Sequence, residues 1–228
     1  MNNDTPHSVG IGHLEGVASD SDASTVPGPH WGAGGEPLPG NPLLEPNHAM
    51  LDLETLGRRP YCPLLSIGAC ALRLDCDEPI TDLFYQPITL ESCFEVGLKA
   101  DASTIQWWMT NEHVTQEARE MAFGASNNAL PLPMVLDAFT DWLQSRPLQL
   151  WGNSARFDLG ILEAAYGACG KNAPWDYRLE RCYRTINNLP GAKGIEFVRV
   201  GTYHNAVHDA VSQALHLRKI NQQLQLHL

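Results

Sequence analysis

A chain of 228 residues with 43% hydrophobic side chains can bury one domain of ordinary size with length to spare. No window reaches the roughly 18 consecutive apolar residues of a membrane span, and the N-terminus shows neither the basic nor the apolar region of a signal peptide. The expectation is a cytoplasmic protein with no membrane partner. The formal net charge of −11 argues against a phosphate-rich partner until its distribution is read. Residues 1–47 carry six acids and neither Lys nor Arg, which leaves −5 on the remainder.

The same 47 residues hold seven of the sixteen prolines and eight of the nineteen glycines, without any helical or alternating apolar pattern. They read as a disordered acidic tail, with a docking segment around Trp31 or Leu43 and Leu44 and a misplaced start codon as alternatives. From His48 onward the chain reads as one domain to residue 228. Apolar runs at His48 to Leu53, Pro63 to Leu74 and Leu83 to Ile88, each bounded by Gly, Pro or Asp, predict three successive strands, antiparallel to one another. Helical patterns follow at Ser103 to Met109, Thr115 to Phe123 and Pro133 to Gln144, the first with a Ser/Thr cap. Leu148 to Trp151 reads as a buried strand, Asp158 to Tyr166 as a helix, and Asp209 to Leu226 as a C-terminal helix. Three strands followed by alternating helix and strand predict an α/β domain: a mixed sheet flanked by helices on both faces, in a ribonuclease H-like arrangement. Six cysteines at irregular separations, with no C-x-x-C pair, read mostly as reduced, buried thiols.

Three segments carry residue types suited to chemistry. Asp52 and Glu54 stand two apart in the first strand, so both carboxylates face one side while Leu51 and Leu53 face the other. Such an oxygen pair suits hard divalent cations, although two solvated acids at a strand end would look the same. Asp158 lies where a strand passes through a polar turn into a helix, a place where an acid commonly serves as a cap. His204 stands five residues before Asp209, which opens the last helix. An imidazole there can take a proton from water near neutral pH, and the carboxylate can complete a metal site. Together the segments supply four acids and a base.

This ordered pattern of Asp-x-Glu, Phe-Asp and His-x-x-x-x-Asp resembles the DEDD superfamily of 3′-5′ exonucleases, in the subgroup whose base is a histidine. Within it the chain looks most similar to exonuclease A of T-even phages and the exoribonuclease AS group, over most of residues 48–220. The resemblance extends to Ser103 through Trp108, to Gln116 through Arg119, and to Arg184, Thr185 and Ile186. It implies that Asp52, Glu54, Asp158 and Asp209 hold two divalent cations, Mg²⁺ or Mn²⁺, and that His204 is the general base. It further implies that Thr55 and Leu56 contact the terminal nucleotide, partly through backbone. Of the adjacent tryptophans, Trp108 is expected to stack on a base and Trp107 to enter the core. The implied substrate is the 3′ end of single-stranded DNA or RNA, with DNA placed ahead of RNA and nucleoside 5′-monophosphates as products. The phage-like resemblance also suggests a viral or prophage origin. Tyr183 departs from the family, whose members often carry an acid there. His208 reads as structural and His113 as a surface residue. Two rival readings are an HD-type phosphohydrolase using His204, His208 and Asp209 as ligands, and an inactive ribonuclease H-like scaffold that binds without cleaving.

Overall fold

The run His48–Thr55 forms strand β1, and its alternation divides the molecule. Ala49, Leu51 and Leu53 point into one core, while Met50, Asp52 and Glu54 occupy the opposite face. Strand β2 (Leu64–Leu72) is buried throughout and pairs antiparallel with β1; β3 (Asp82–Pro87) pairs antiparallel with β2. Strands β4 (Gln149–Gly152) and β5 (Glu180–Cys182) add in parallel on the other side. The described residues thus form a five-stranded sheet of order β3-β2-β1-β4-β5 with β1 at its centre. The computed structural model describes residues 45–124, 128–144 and 146–228. Nearly all of the segment read as a tail, including Trp31, Leu43 and Leu44, lies outside them.

Helices α1 (Leu90–Glu95), α2 (Ala102–Thr110), α3 (Gln116–Phe123) and α4 (Leu132–Leu143) follow β3. Helix α5 (Ala155–Ala168) follows β4, α6 (Tyr183–Asn187) follows β5, and α7 (Ala206–Leu224) closes the described chain. Helices α4 and α5 cover the Leu51 face with Leu136, Phe139, Leu162 and Tyr166. Helix α7 covers the other face with Ala210, Ala214, Leu217 and Ile220 against Met50, Cys70 and Trp151, an i, i+4, i+7 stripe beginning with two small residues. A third apolar cluster joins α2 and α3 to Leu56 and Leu65 through Trp108, Val114 and Ala118. The mixed sheet covered on both faces is the arrangement expected from the sequence.

Three short elements, α1, β5 and α6, had no counterpart in the sequence reading. Each is six residues or fewer, too short for a period of 3.6 or 2 to show. Helix starts also differ. The N-cap of α2 is Asp101, whose side chain makes no capping bond, instead of a Ser or Thr; α3 is capped by Thr115 Oγ1, which accepts from Ala118 N at 3.1 Å. Helix α5 begins at Ala155, three residues before Asp158, and α7 begins at Ala206, three before Asp209. All six cysteines are unpaired, with Cys62, Cys70 and Cys93 buried. Among the described residues no helix is long and apolar enough to cross a membrane.

Gly68 of β2 sits opposite Asp52 and lets the first turn of α7 press onto the sheet. A Cβ there would lie 2.1 Å from Val207 N and 2.2 Å from the Ala206 carbonyl carbon, both backbone atoms that cannot swing aside. Gly68→Ala is therefore expected to lower stability by about 3 kcal/mol or more. Urea denaturation measures this, and an unchanged midpoint would show that α7 does not depend on that close approach.

Candidate active site

Asp52 and Glu54 reach the α7 face near the carboxyl end of β1, beside the carboxyl end of parallel β4, where α/β sheets commonly place their ligands. Glu54 is buried and Asp52 partly so. Asp52 Oδ1 accepts from Gln213 Nε2 at 2.9 Å, a bond between the central strand and the second turn of α7. Asp158 arrives from α5 on the opposite face by passing the end of β4 at Gly152, where a Cβ would lie 2.8 Å from its Oδ2. That oxygen accepts from Ser154 N at 3.0 Å, so Asp158 does bind the helix N-terminus as an acid in a first turn should, but from inside the helix.

Asp209 and His204 form one unit. Asp209 Oδ2 accepts from the backbone N–H of His204 at 3.0 Å, and Arg199 forms an ion pair with the other oxygen. His204 has φ +59°, a left-handed conformation uncommon outside glycine, in the loop directly before α7. Gly201 sets up that loop at φ +63°, where a Cβ would lie 2.5 Å from the ring of His208. His208 Nδ1 accepts from Thr202 N at 3.0 Å, and Asn205 Oδ1 caps α7 by accepting from His208 N at 3.1 Å. His208 therefore braces the loop as expected, and its ring nitrogen is committed to the backbone. The ring of His204 instead faces the indole of Trp107, edge to face, at 5.0 Å between centroids.

The charges follow from this crowding. Burial, then the neighbouring charges of Asp158, Glu54 and Asp209, pushes the Asp52 carboxyl well above the usual carboxylate range, with Gln213 opposing. Burial, then Asp209 and Asp158, does the same to Glu54, with Arg199 opposing. Burial raises Asp158 to about 7, against the pull of the Ser154 N–H. Burial lowers His204, which keeps the imidazole neutral and able to accept a proton. One ligand atom from each of Glu54, His204 and Asp209 lies within 4.8 Å of the others. Crowded acids, with Asp52 and Glu54 pushed up by burial and by neighbouring carboxylates, are a donor set that fits hard divalent cations: added positive charge would relieve the repulsion, and carboxylate oxygens are the ligands such ions favour.

Of the residues singled out from sequence, Glu54, His204 and Asp209 bring ligand atoms together, and Asp52 and Asp158 lie near enough for their charges to act on the same group, the five coming from β1, α5, α7 and the loop before α7. The tryptophans are reversed. Trp108 is only 2% exposed and donates from Nε1 to the Thr55 carbonyl at 3.0 Å; it touches the wall of the cavity that Trp107 lines but presents far less surface for stacking than Trp107. Trp107, at 36% exposed, lines a cavity of about 400 Å³ together with Glu54, Thr55, Ser103 and Phe157. Arg119 fixes this choice by donating to the carbonyls of Trp108 and Asn111 at the end of α2. Leu56 also departs from expectation: it is buried, its N–H bonds the Pro63 carbonyl and its carbonyl accepts from Asp101 N. Thr55 lines the cavity, with its hydroxyl donating to the Gly57 carbonyl at 2.7 Å. Tyr183 is buried and its hydroxyl pairs with His216 Nδ1 at 2.6 Å, so the departure from the family's acid serves packing. His113 is exposed, and His48 is buried against Trp151, whose Nε1 donates to its Nδ1. Neither histidine joins His204 and Asp209, which leaves the HD-type reading without the further upstream histidine ligands it needs. Gln213 and Arg199 escaped the sequence reading; Gln213 stands one helical turn after Asp209, a spacing that could have flagged it.

Residues 47–221 match the family model described as the 3′-5′ exoribonuclease Rv2179c-like domain. The chain belongs to that family. No curated protein sequence matches it. Among solved structures, this Rv2179c-like domain is similar to the crystal structure of cell-death related nuclease 4 (CRN-4), with a TM-score of 0.50 and 14% sequence identity. The match covers 78% of this chain and 65% of that one, so the chain spans just under two thirds of its neighbour's length. At that identity the likeness establishes the fold, which is ribonuclease H-like.

The carboxylates give the Rv2179c-like domain a signature in pH and metal. Folding raises Asp52, Glu54 and Asp158, so their contribution to stability is full below the ordinary carboxylate range and is lost as pH rises through their folded values, about 7 for Asp158. Buried His48, lowered to about 4, acts in the opposite sense as pH falls below the ordinary imidazole range. Between pH 5.5 and 8 the metal-free protein should lose stability from the acids, and Mn²⁺ should raise Tm more at pH 8 than at pH 5.5. Differential scanning fluorimetry of wild type and Asp158→Asn checks this. Asn cannot ionise, so the variant's metal-free pH slope should be shallower; equal slopes would remove Asp158 from the account.

Proposed function

We propose that this chain is a metal-dependent 3′-5′ exonuclease of the histidine-base DEDD type, acting on single-stranded RNA. The observation that carries the reading is the convergence of Asp52, Glu54, Asp158, Asp209 and His204, drawn from three separate elements, at the carboxyl ends of β1 and β4. The family description, which names an exoribonuclease, supports RNA over the DNA expected from sequence. A second reading, an inactive binding scaffold, gives no reason for burying several mutually repelling carboxylates.

In this reading Asp52, Glu54, Asp158 and Asp209 hold two divalent cations, Mg²⁺ or Mn²⁺, which supply Lewis acidity and charge stabilisation at the last phosphodiester. Thr55 and Trp107 receive the terminal nucleoside in the cavity beside Glu54, the indole offering a face for its base. His204 accepts a proton from the attacking water at its ring nitrogen. Its lowered proton affinity keeps it in the base form at neutral pH. The bond broken is that between phosphorus and the 3′ oxygen of the preceding nucleotide, so a nucleoside 5′-monophosphate leaves. Gln213 holds the Asp52 carboxylate, and the His204 N–H holds Asp209, which keeps ligand and base in register.

The test uses 5′-labelled single-stranded RNA and DNA of matched sequence with Mg²⁺, Mn²⁺ or EDTA. A metal-dependent ladder shortening from the 3′ end, faster on RNA and absent with Asp52→Ala, is the expected result. Intact oligonucleotides under every condition would move the chain to the scaffold reading. His204→Ala should lower kcat by roughly 10²–10⁴-fold with little change in KM. Loss of metal affinity with an unchanged pH profile would make His204 a ligand in place of a base.

A further inference from the structure

Two cavities meet at the acid cluster. The one lined by Glu54 and Trp107 has been assigned above to the terminal nucleoside. The other, about 530 Å³, is lined by Asn153, Lys193, Phe197, Arg199, Tyr203 and Asp209, among others. Glu54 borders the first and Asp209 the second, and their ligand atoms lie within 4.8 Å of each other and of His204. The ring of His204 stands between an aromatic of each cavity, 5.0 Å from Trp107 and 6.5 Å from Tyr203. We infer that the second cavity is a binding subsite for the nucleotide on the 5′ side of the scissile phosphate, with Tyr203 stacking on its base and Lys193 pairing with its phosphate.

The inference rests on the exonuclease reading and adds a direction for the strand. A reaction that removes one nucleotide places its two products on opposite sides of the reacting phosphorus. With the terminal nucleoside beside Glu54, the preceding nucleotide must lie beyond Asp209. The chemistry of the second cavity suits it. A released mononucleotide carries only the phosphate under attack, whereas the strand behind it carries further phosphates that need cations away from the acids. Exposed Lys193 supplies one, while Arg199 is already paired with Asp209, the single acid in the lining, and so leaves that wall without a free negative charge. The Arg199 guanidinium lies over the Tyr203 ring at 4.1 Å from its centroid, fixing the ring while 56% of the residue stays exposed. Phe197, 42% exposed, offers a second apolar surface in the same cavity. Stacking of this kind accepts any base, as a nuclease that degrades a strand stepwise requires.

The experiment compares two substrates on the full chain: a single-stranded oligonucleotide and the p-nitrophenyl ester of uridine 5′-monophosphate. The ester fills the terminal site and presents the phosphate but has no preceding nucleotide. Tyr203→Ala should lower the oligonucleotide-to-ester ratio of kcat/KM by roughly tenfold, mostly through oligonucleotide KM, and Tyr203→Phe should restore it. Lys193→Gln should lower the same ratio and reduce the salt slope of oligonucleotide binding by about one. A ratio unchanged in both variants would overturn the subsite. So would an equal fall on both substrates, because Tyr203 would then be acting through its neighbour His204. Wild-type protein inactive on oligonucleotide and ester alike would remove the exonuclease reading beneath the inference.

Discussion

The architecture is organised around the burial of like charges. Asp52, Glu54, Asp158 and Asp209 come from a central strand, a helix on one face and a helix on the other, and each raises or feels the others in a region largely closed to water. Burying unpaired carboxylates is unfavourable, and the fold meets that cost with fixed dipoles and one guanidinium: Gln213 on Asp52, the Ser154 N–H on Asp158, and the His204 N–H with Arg199 on Asp209. The two apolar cores behind the sheet hold the elements that carry these acids. Glycines at 68 and 152 make room where α7 and Asp158 come closest to the strands. A site this crowded retains a net demand for positive charge, and its oxygen donors suit a divalent cation.

The loop before α7 joins two roles that are usually considered apart. His204 donates its backbone N–H to Asp209 while its ring reaches towards Glu54, so the position of that imidazole and the orientation of one acid are set by the same residue. The left-handed conformation at His204, the turn at Gly201 and the bond from Thr202 N–H to His208 keep that residue in place. Changes to His204 and Asp209 should therefore be far from additive, as expected of groups that act as a unit.

Aromatic residues mark the space on either side of His204. Trp107 faces the cavity beside Glu54, and its neighbour Trp108 anchors α2 to the end of β1 through the Thr55 carbonyl. Arg119 ties α3 to the last carbonyls of α2, which fixes the rotation of that helix and hence which indole is presented. Tyr203, backed by Arg199, stands on the far side. In a chain whose overall charge is strongly negative, the local lining and any cation held by the acids would determine the field a phosphate meets.

The sequence by itself determined the parts governed by local periodicity. Alternation in His48–Thr55 placed Asp52 and Glu54 on one face, a long apolar run marked β2, and the order of acids and histidine singled out residues that come together in the fold. Only the tertiary structure decided what depends on neighbours distant in the chain. Trp107 and Trp108 are adjacent on one helix, and local pattern cannot say which faces the core; Arg119 and the Thr55 carbonyl decide it. Leu56 looked available beside the first motif, yet Pro63 and Asp101 take its backbone groups. The bond from Gln213 to Asp52 spans 161 residues, and Arg199 reaches Asp209 only because the loop doubles back through Gly201. Side-chain period is a property of a few consecutive residues, whereas burial, helix rotation and hydrogen-bond partners arise only when separate elements pack.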